Sequence, residues 1–288
     1  VSLARHAILS VVFGPEAPRR AALAAGAALT VGSGKGAGLC LPRDEELGKV
    51  HFELAWDGER AELRARDGGA TLLDGAPATT AEARHGSWIR AGASVFMLHH
   101  EARTPAPARA PRTPASSARA KEALAALSAE GGLFGIVDAA RSLRVRVLLR
   151  ESIDEGESLY EGVKGQALAD VAPYLVRFEP GSRLLRALVE EGWGDAWGVY
   201  LVTRIPTKDL RRHLRHFLLV EDEESRQRLY FRFYDPRTLR DFLPLTTPRQ
   251  ESELFGDVRA FLVEGPEGEL LRFEPGGRGK RRGDVPDP

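Results

Sequence analysis

An all-β domain followed by an α/β domain is the fold class this sequence predicts, and three observations carry it. Short apolar runs separated by Gly, Pro and Asp turns fill residues 1–102, the spacing of a β-sandwich. A Pro, Ala and Arg-rich stretch interrupts the chain at 103–119. After it, strand-like and helix-like apolar periods alternate, the pattern of a mixed lobe. In the first part the runs at 8–13, 28–31, 38–41, 50–56, 61–65, 87–90 and 94–99 read as strands. The interruption has four prolines and no large apolar side chain, so it buries too little surface to offset its ordering entropy. It reads as a semi-extended linker over 103–120. In the second part, 121–275, strands are predicted at 143–149, 174–178, 199–202, 229–234 and 258–263. A helix over 182–191 would bury Leu184, Leu185, Leu188 and Val189, and one over 207–218 would start at a Thr207 cap and bury Leu210, Leu214, Phe217 and Leu218. Gly265-Pro-Glu-Gly268 turns a terminal hairpin, and 276–288 reads as a flexible basic tail.

Composition narrows the partners. Lys plus Arg and Asp plus Glu both total 41, so the chain carries no net charge and lacks the uncompensated cations of a general nucleic-acid binder. Lys208, Arg211, Arg212 and Arg215 do line one predicted helix, but Glu221-Asp-Glu-Glu224 follows and can neutralise them. No apolar run approaches the ~20 residues that span a bilayer, so no membrane partner is expected. The single cysteine, Cys40, leaves no internal disulfide and fits a reducing cytosol.

Chemistry-bearing patterns are sparse. Gly32-Ser-Gly-Lys-Gly-Ala37 matches the spacing of a dinucleotide loop, but Pro42 and further strands follow where that motif needs a helix. Lys35 is followed by Gly36, not by the Ser or Thr of a phosphate-binding loop. None of the 7 histidines forms a zinc-hydrolase pair. His213 and His216 lie one helical turn apart without a nearby carboxylate to complete a metal set. No metal and no cofactor is expected. A dispersed Ser, His and acid triad is not readable from spacing, so an unrecognised hydrolase stands as one alternative.

In the first domain, Thr30-Val-Gly-Ser33, Leu41-Pro42, Gly48-Lys-Val-His51, Thr71-Leu-Leu-Asp-Gly75 and His85-Gly-Ser-Trp-Ile-Arg-Ala-Gly92 fall in the order of a forkhead-associated domain, which the region resembles. That family reads phosphothreonine peptides. The resemblance places Ser33 where the family has an arginine, Gly48 at its phosphate-binding serine and Gly69 at its peptide-gripping asparagine. Lys49, His51 and Thr71 are kept or conservative, and His51 is implied to hold the loops together. With three charge-assisted donors lost, each worth roughly 1.5–3 kcal/mol, a phosphate-independent docking module is expected. A phosphothreonine-dependent signalling or regulatory reader of a secretion system, binding a phosphoprotein, is the alternative.

In the second domain, Arg232-Phe-Tyr-Asp-Pro-Arg237 joins an aromatic strand to a helix that Asp235 caps, with Pro236 at its first position and Leu239, Phe242 and Leu243 facing inward. Leu229, Phe231 and Phe233 would take one strand face, Tyr230, Arg232 and Tyr234 the other. Together with Leu133-Phe-Gly-Ile-Val-Asp138, Ala172-Pro-Tyr-Leu-Val176 and Leu254-Phe-Gly256, this run resembles the Tap-like adaptor-chaperones of bacterial type VI secretion, long catalogued as a domain of unknown function. The resemblance implies a non-enzymatic cytoplasmic bacterial protein that holds a secreted toxic effector and loads it onto the spike (VgrG) protein. Grooves beside the sheet would cover the effector's apolar surface until handover. Tyr174, Arg232, Tyr234, Asp235 and Arg237 are the candidates for contacting the partner or shaping the contact surface, and each reads equally well as core or cap.

Overall fold

A computed structural model describes residues 5–66, 69–162, 168–221, 227–277 and 280–281. The chain divides into two compact units, Val1–Pro105 with Arg150–Ile153, and Ala106–Leu149 with Asp154–Pro288.

The first unit is a β-sandwich. One sheet contains β1 (Ala7–Phe13), β2 (Arg20–Leu23), β7 (Thr71–Leu73), β8 (Ala76–Pro77), β10 (Trp88–Ala91) and β11 (Ser94–His100), in the order β2-β1-β11-β10-β7-β8. The other contains β3 (Ala27–Gly32), β4 (Leu39–Cys40), β5 (Phe52–Trp56), β6 (Ala61–Ala65) and β9 (Thr80–Ala83), in the order β4-β3-β5-β6-β9. Alternate residues of the two sheets, Leu9, Val11, Phe96 and Leu98 against Phe52, Leu54, Trp56 and Leu63, form one core. Strands β2 and β9 are absent from the sequence reading because Arg20-Ala-Ala-Leu23 and Thr80-Ala-Glu-Ala83 carry little β-propensity.

The second unit is a three-layer α/β lobe. Its sheet holds β12 (Leu133–Asp138), β13 (Gly156–Ser158), β14 (Pro173–Arg177), β15 (Gly198–Val202), β18 (Ala260–Glu264), β19 (Leu270–Phe273) and β20 (Lys280–Arg281), ordered β13-β14-β12-β15-β18-β19-β20 with every ladder antiparallel. A separate ribbon pairs β16 (Leu219–Glu221) with β17 (Arg228–Tyr230). The helices are α1 (Pro114–Ser128), α2 (Leu143–Arg150), α3 (Arg183–Gly192), α4 (Thr207–Arg215), α5 (Pro236–Phe242) and α6 (Pro248–Phe255). Helices α1, α2 and α3 cover one sheet face around Leu133, Val137, Val176 and Val202. Helices α4, α5 and α6 cover the other around Phe134, Ile136, Leu175 and Leu201. A sheet covered on both faces needs a wholly buried central strand, and β12 is buried at all six positions. Gly135 has no room for a side chain, since a Cβ there would lie 2.7 Å from the Phe178 ring.

Several expectations are corrected. The 103–120 segment is helical from Pro114, capped by Thr113, whose side chain accepts from the Ser116 N–H at 3.1 Å. Upstream of that cap it is anchored within its own unit. Arg109 donates to the Glu191 carbonyl at 2.7 Å and to Asp195 at 2.6 Å, and lies 5.3 Å over the Trp197 ring. Arg112 donates to the same Glu191 carbonyl at 2.9 Å, the free C-terminal end of α3. Residues 143–149 form helix α2, not a strand. Leu-Arg-Val-Arg-Val satisfies a period of two, but Val145, Leu148 and Leu149 bury at helical spacing and Arg144 clamps Glu191 at 2.6 and 2.8 Å. Strand β17 stops at Tyr230, so the alternation predicted to Tyr234 fails. A turn from Arg232 to Asp235 instead buries the adjacent Phe233 and Tyr234 together. Pro206, not Thr207, is the N-cap of α4, and it offers no side-chain bond. Tail residues Lys280–Arg281 pair with β19, while Arg278 and Arg282 lie outside the described residues.

Candidate partner-binding sites

In the first unit the sandwich holds the predicted phosphopeptide loops at one end, and their polar groups are turned inward. Ser33 donates its Oγ proton to the Leu47 carbonyl at 2.7 Å, and its N–H donates to Gly48 O at 2.9 Å. Gly48 contributes its N–H to His51 Nδ1 at 3.0 Å. His51 is buried, which holds its imidazole below the usual range, partly offset by the Ala70 backbone. The ring packs beside the Gly69 loop, where Gly69 has a φ of +105° and a Cβ would lie 3.8 Å from His51 Cε1. Gly32 is required by close approach, since a Cβ there would fall 2.2 Å from the Lys49 carbonyl oxygen. Thr71 is buried. Of the six named loop positions, Lys49 is the one exposed cation.

In the second unit the four sequence motifs converge on one core. Phe134 and Ile136 from β12, Leu175 from β14, Phe233 and Tyr234 from the turn, and Leu254 and Phe255 from α6 belong to the same cluster. At its edge lies a charged corner. Arg232 donates to Asp138 Oδ2 at 2.7 Å and lies 5.7 Å from the Tyr234 ring centroid, while Asp138 Oδ1 accepts the Ala140 N–H at 2.9 Å. Asp138 is 1% exposed and Arg232 is 45% exposed, so the ion pair is anchored inside and presented outside. Asp235 caps α5 through the Arg237 N–H at 3.0 Å and takes the Arg237 guanidinium in a fork at 2.9 and 2.6 Å. Burial alone would raise the Asp235 carboxyl, but the Arg237 side chain and backbone outweigh it and hold it below the usual range. Burial pushes the Tyr234 phenol up, and the Tyr160 hydroxyl adds to the effect.

The structure thus brings Arg232, Tyr234, Asp235 and Arg237 together and separates Tyr174 from them. Tyr174 packs on the opposite sheet face and donates to the Ala169 carbonyl at 2.9 Å. Asp138 was missed as a site residue, although it closes one of the four motifs; its signal was an acid at the end of an otherwise apolar strand. Beside the corner, the β16–β17 ribbon leaves Leu219 55%, Leu229 48% and Tyr230 46% exposed. The cations of α4 are paired differently from the sequence reading. Arg211 faces Glu157 at 3.7 Å, Arg215 pairs with Glu161 and Arg212 with Asp209. Residues 222–224 of the expected acidic partner lie outside the described residues. His213 is structural, bonded through Nε2 to the Leu254 carbonyl at 2.9 Å. Among the described residues, no group of three His, Cys, Asp or Glu could hold a metal ion, and no helix is long and apolar enough to cross a membrane.

Comparison with known proteins gives a match for each half of the chain. Residues 133–253 match the family model described as a domain of unknown function, DUF4123, the family to which the four motifs pointed. The first unit is similar to solved forkhead-associated domains. One, described by phosphothreonine-dependent interactions, is 26% identical over 35% of this chain and 99% of that chain, with a TM-score of 0.31. The FhaA domain, solved with the intracellular domain of Rv3910, is 28% identical over 32% and 99%, at 0.30. The domain of CT664 from Chlamydia trachomatis is 16% identical over 33% and 96%, at 0.30. No curated protein matches the chain.

Proposed function

We propose that the chain is a non-enzymatic cytoplasmic adaptor of type VI secretion, whose α/β lobe holds a toxic effector and delivers it to the spike (VgrG) protein. The match of 133–253 to the adaptor-like family is the observation that carries this reading. The corner supports it physically. Its carboxylates are committed to internal pairs, while the guanidiniums of Arg232 and Arg237 stay 45% and 56% exposed beside an apolar ribbon. Exposed arginine next to aromatic and aliphatic side chains is the composition of an interface anchor, not of a reaction centre. The first unit acts as a phosphate-independent docking module, a reading supported by Ser33 being spent on Leu47 and by Gly48 having no hydroxyl to offer.

Affinity capture of the tagged intact chain from its native cells, with mass spectrometry of the co-purifying proteins, tests this. A spike protein and a toxin are expected, with the toxin lost from an Arg232→Glu/Arg237→Glu chain. Recovery of phosphoproteins alone, released by phosphatase treatment, would replace the adaptor with a signalling reader.

A further inference from the structure

The six-stranded sheet of the first unit has an outward face that its own sandwich does not use. Alternation along β1, β11, β10 and β7 sends Leu9, Val11, Phe96, Leu98, Ile89 and Ala91 into the core and the intervening residues to the other face, where Ile8 and His99 are buried and the end of the face at Phe13, Trp88 and Arg90 is exposed. A bulge between Val11 and Phe13 brings Phe13 opposite Val95. Val95 stands opposite Arg90, and Arg90 opposite Leu72. In the next row Met97 stands opposite Trp88. Cross-strand neighbours on one face touch, so these six side chains form a continuous apolar patch with one cation inside it. Phe13 is 69% exposed and Trp88 37%, high values for large apolar residues. Arg90 is exposed and has no ion pair among the described residues.

We infer that this face is a second docking surface, and that its occupant is a partner segment bringing large apolar side chains and a carboxylate. Charge decides between occupants. The outward positions of β1, β11, β10 and β7 carry no Asp or Glu, so a second copy laid face to face would offer Arg90 no anion and leave a guanidinium buried unpaired. A segment with a carboxylate between two apolar side chains satisfies both the patch and its cation. The face is distinct from the loops that hold Ser33, Gly48 and His51, so docking here needs no phosphate. The inference does not rest on what the α/β lobe carries.

A randomised short-peptide display library panned on the intact chain tests it. The expected selection is for peptides with paired large apolar residues flanking Asp or Glu. Their affinity, read by fluorescence anisotropy, should fall about tenfold or more in Trp88→Ser and in Phe13→Ser. Panning on Arg90→Glu, an exposed change that leaves the core untouched, should replace the acidic preference by Lys or Arg. Peptides that bind all three variants as tightly as the parent, or an acidic preference that survives Arg90→Glu, would overturn the inference. So would an intact chain that sediments as a dimer and is made monomeric by Phe13→Ser, since a second copy would then be the occupant.

Discussion

The two units hold their polar groups in opposite ways. In the loops of the first unit, Ser33 Oγ donates to the Leu47 carbonyl and the Gly48 N–H donates to His51 Nδ1, both inside the fold. In the corner of the second unit the carboxylates of Asp138 and Asp235 are buried and their arginine partners reach solvent. In the first unit these polar groups are spent within the fold. A paired charge can equally serve fold and surface at once, as in the second.

Acid separates the units most sharply. Burial lowers His99 and His100 from 6.5 to about 4, with the nearby His85 adding to it in both cases. Because the unfolded chain takes up these protons first as pH falls below 6.5, their contribution is complete above that value and drains away toward pH 4. The expected loss is on the order of 2 kcal/mol per histidine by pH 4.5. Hydrogen exchange of the β1 and β11 amides at pH 7 and 4.5 measures it, and a His99→Gln/His100→Gln chain should show a flatter dependence. Next in size is Asp138→Ala, which strips Arg232 and the Ala140 N–H of their buried acceptor and should cost about 3 kcal/mol. Exchange in β12 and β14 should rise, with β1 and β11 unchanged. A uniform rise would erase the contrast between the units. The smallest effect is expected at Lys49→Ala, within about 0.5 kcal/mol on urea unfolding because the side chain is exposed, and with no loss of captured partner.

Much of this was legible in advance. The strands from Ala7 to Phe13, Ala61 to Ala65 and Ser94 to His100, and the helix from Arg183 to Gly192, are strongly periodic and capped or bounded by turns. The cap at Asp235 is where the sequence put it. What failed is what short windows cannot decide. Leu-Arg-Val-Arg-Val fits both periods, and the bidentate hold of Arg144 on Glu191 is a contact between residues far apart in sequence. Tyr174 was grouped with Arg232 because motif order says nothing about sheet face; opposite faces follow only from the register of β14 against β12. Asp138 was quoted but not chosen, since its value depends on a guanidinium 94 residues away.

The anchored stretch before α1 bears on how such proteins can be recombined. Ala120, Ala123 and Leu127 roof the sheet face on which Leu133, Val202 and Ala260 lie, and Arg109 and Arg112 pin the chain leading into that roof. The sequence-matched region beginning at 133 is therefore not a unit that can be excised: cut there, or at 121, the lobe would bare a greasy slot of its own. A chimera carrying a different recognition module should be joined no later than Ala106, which keeps the Arg109 and Arg112 anchors and the whole of α1.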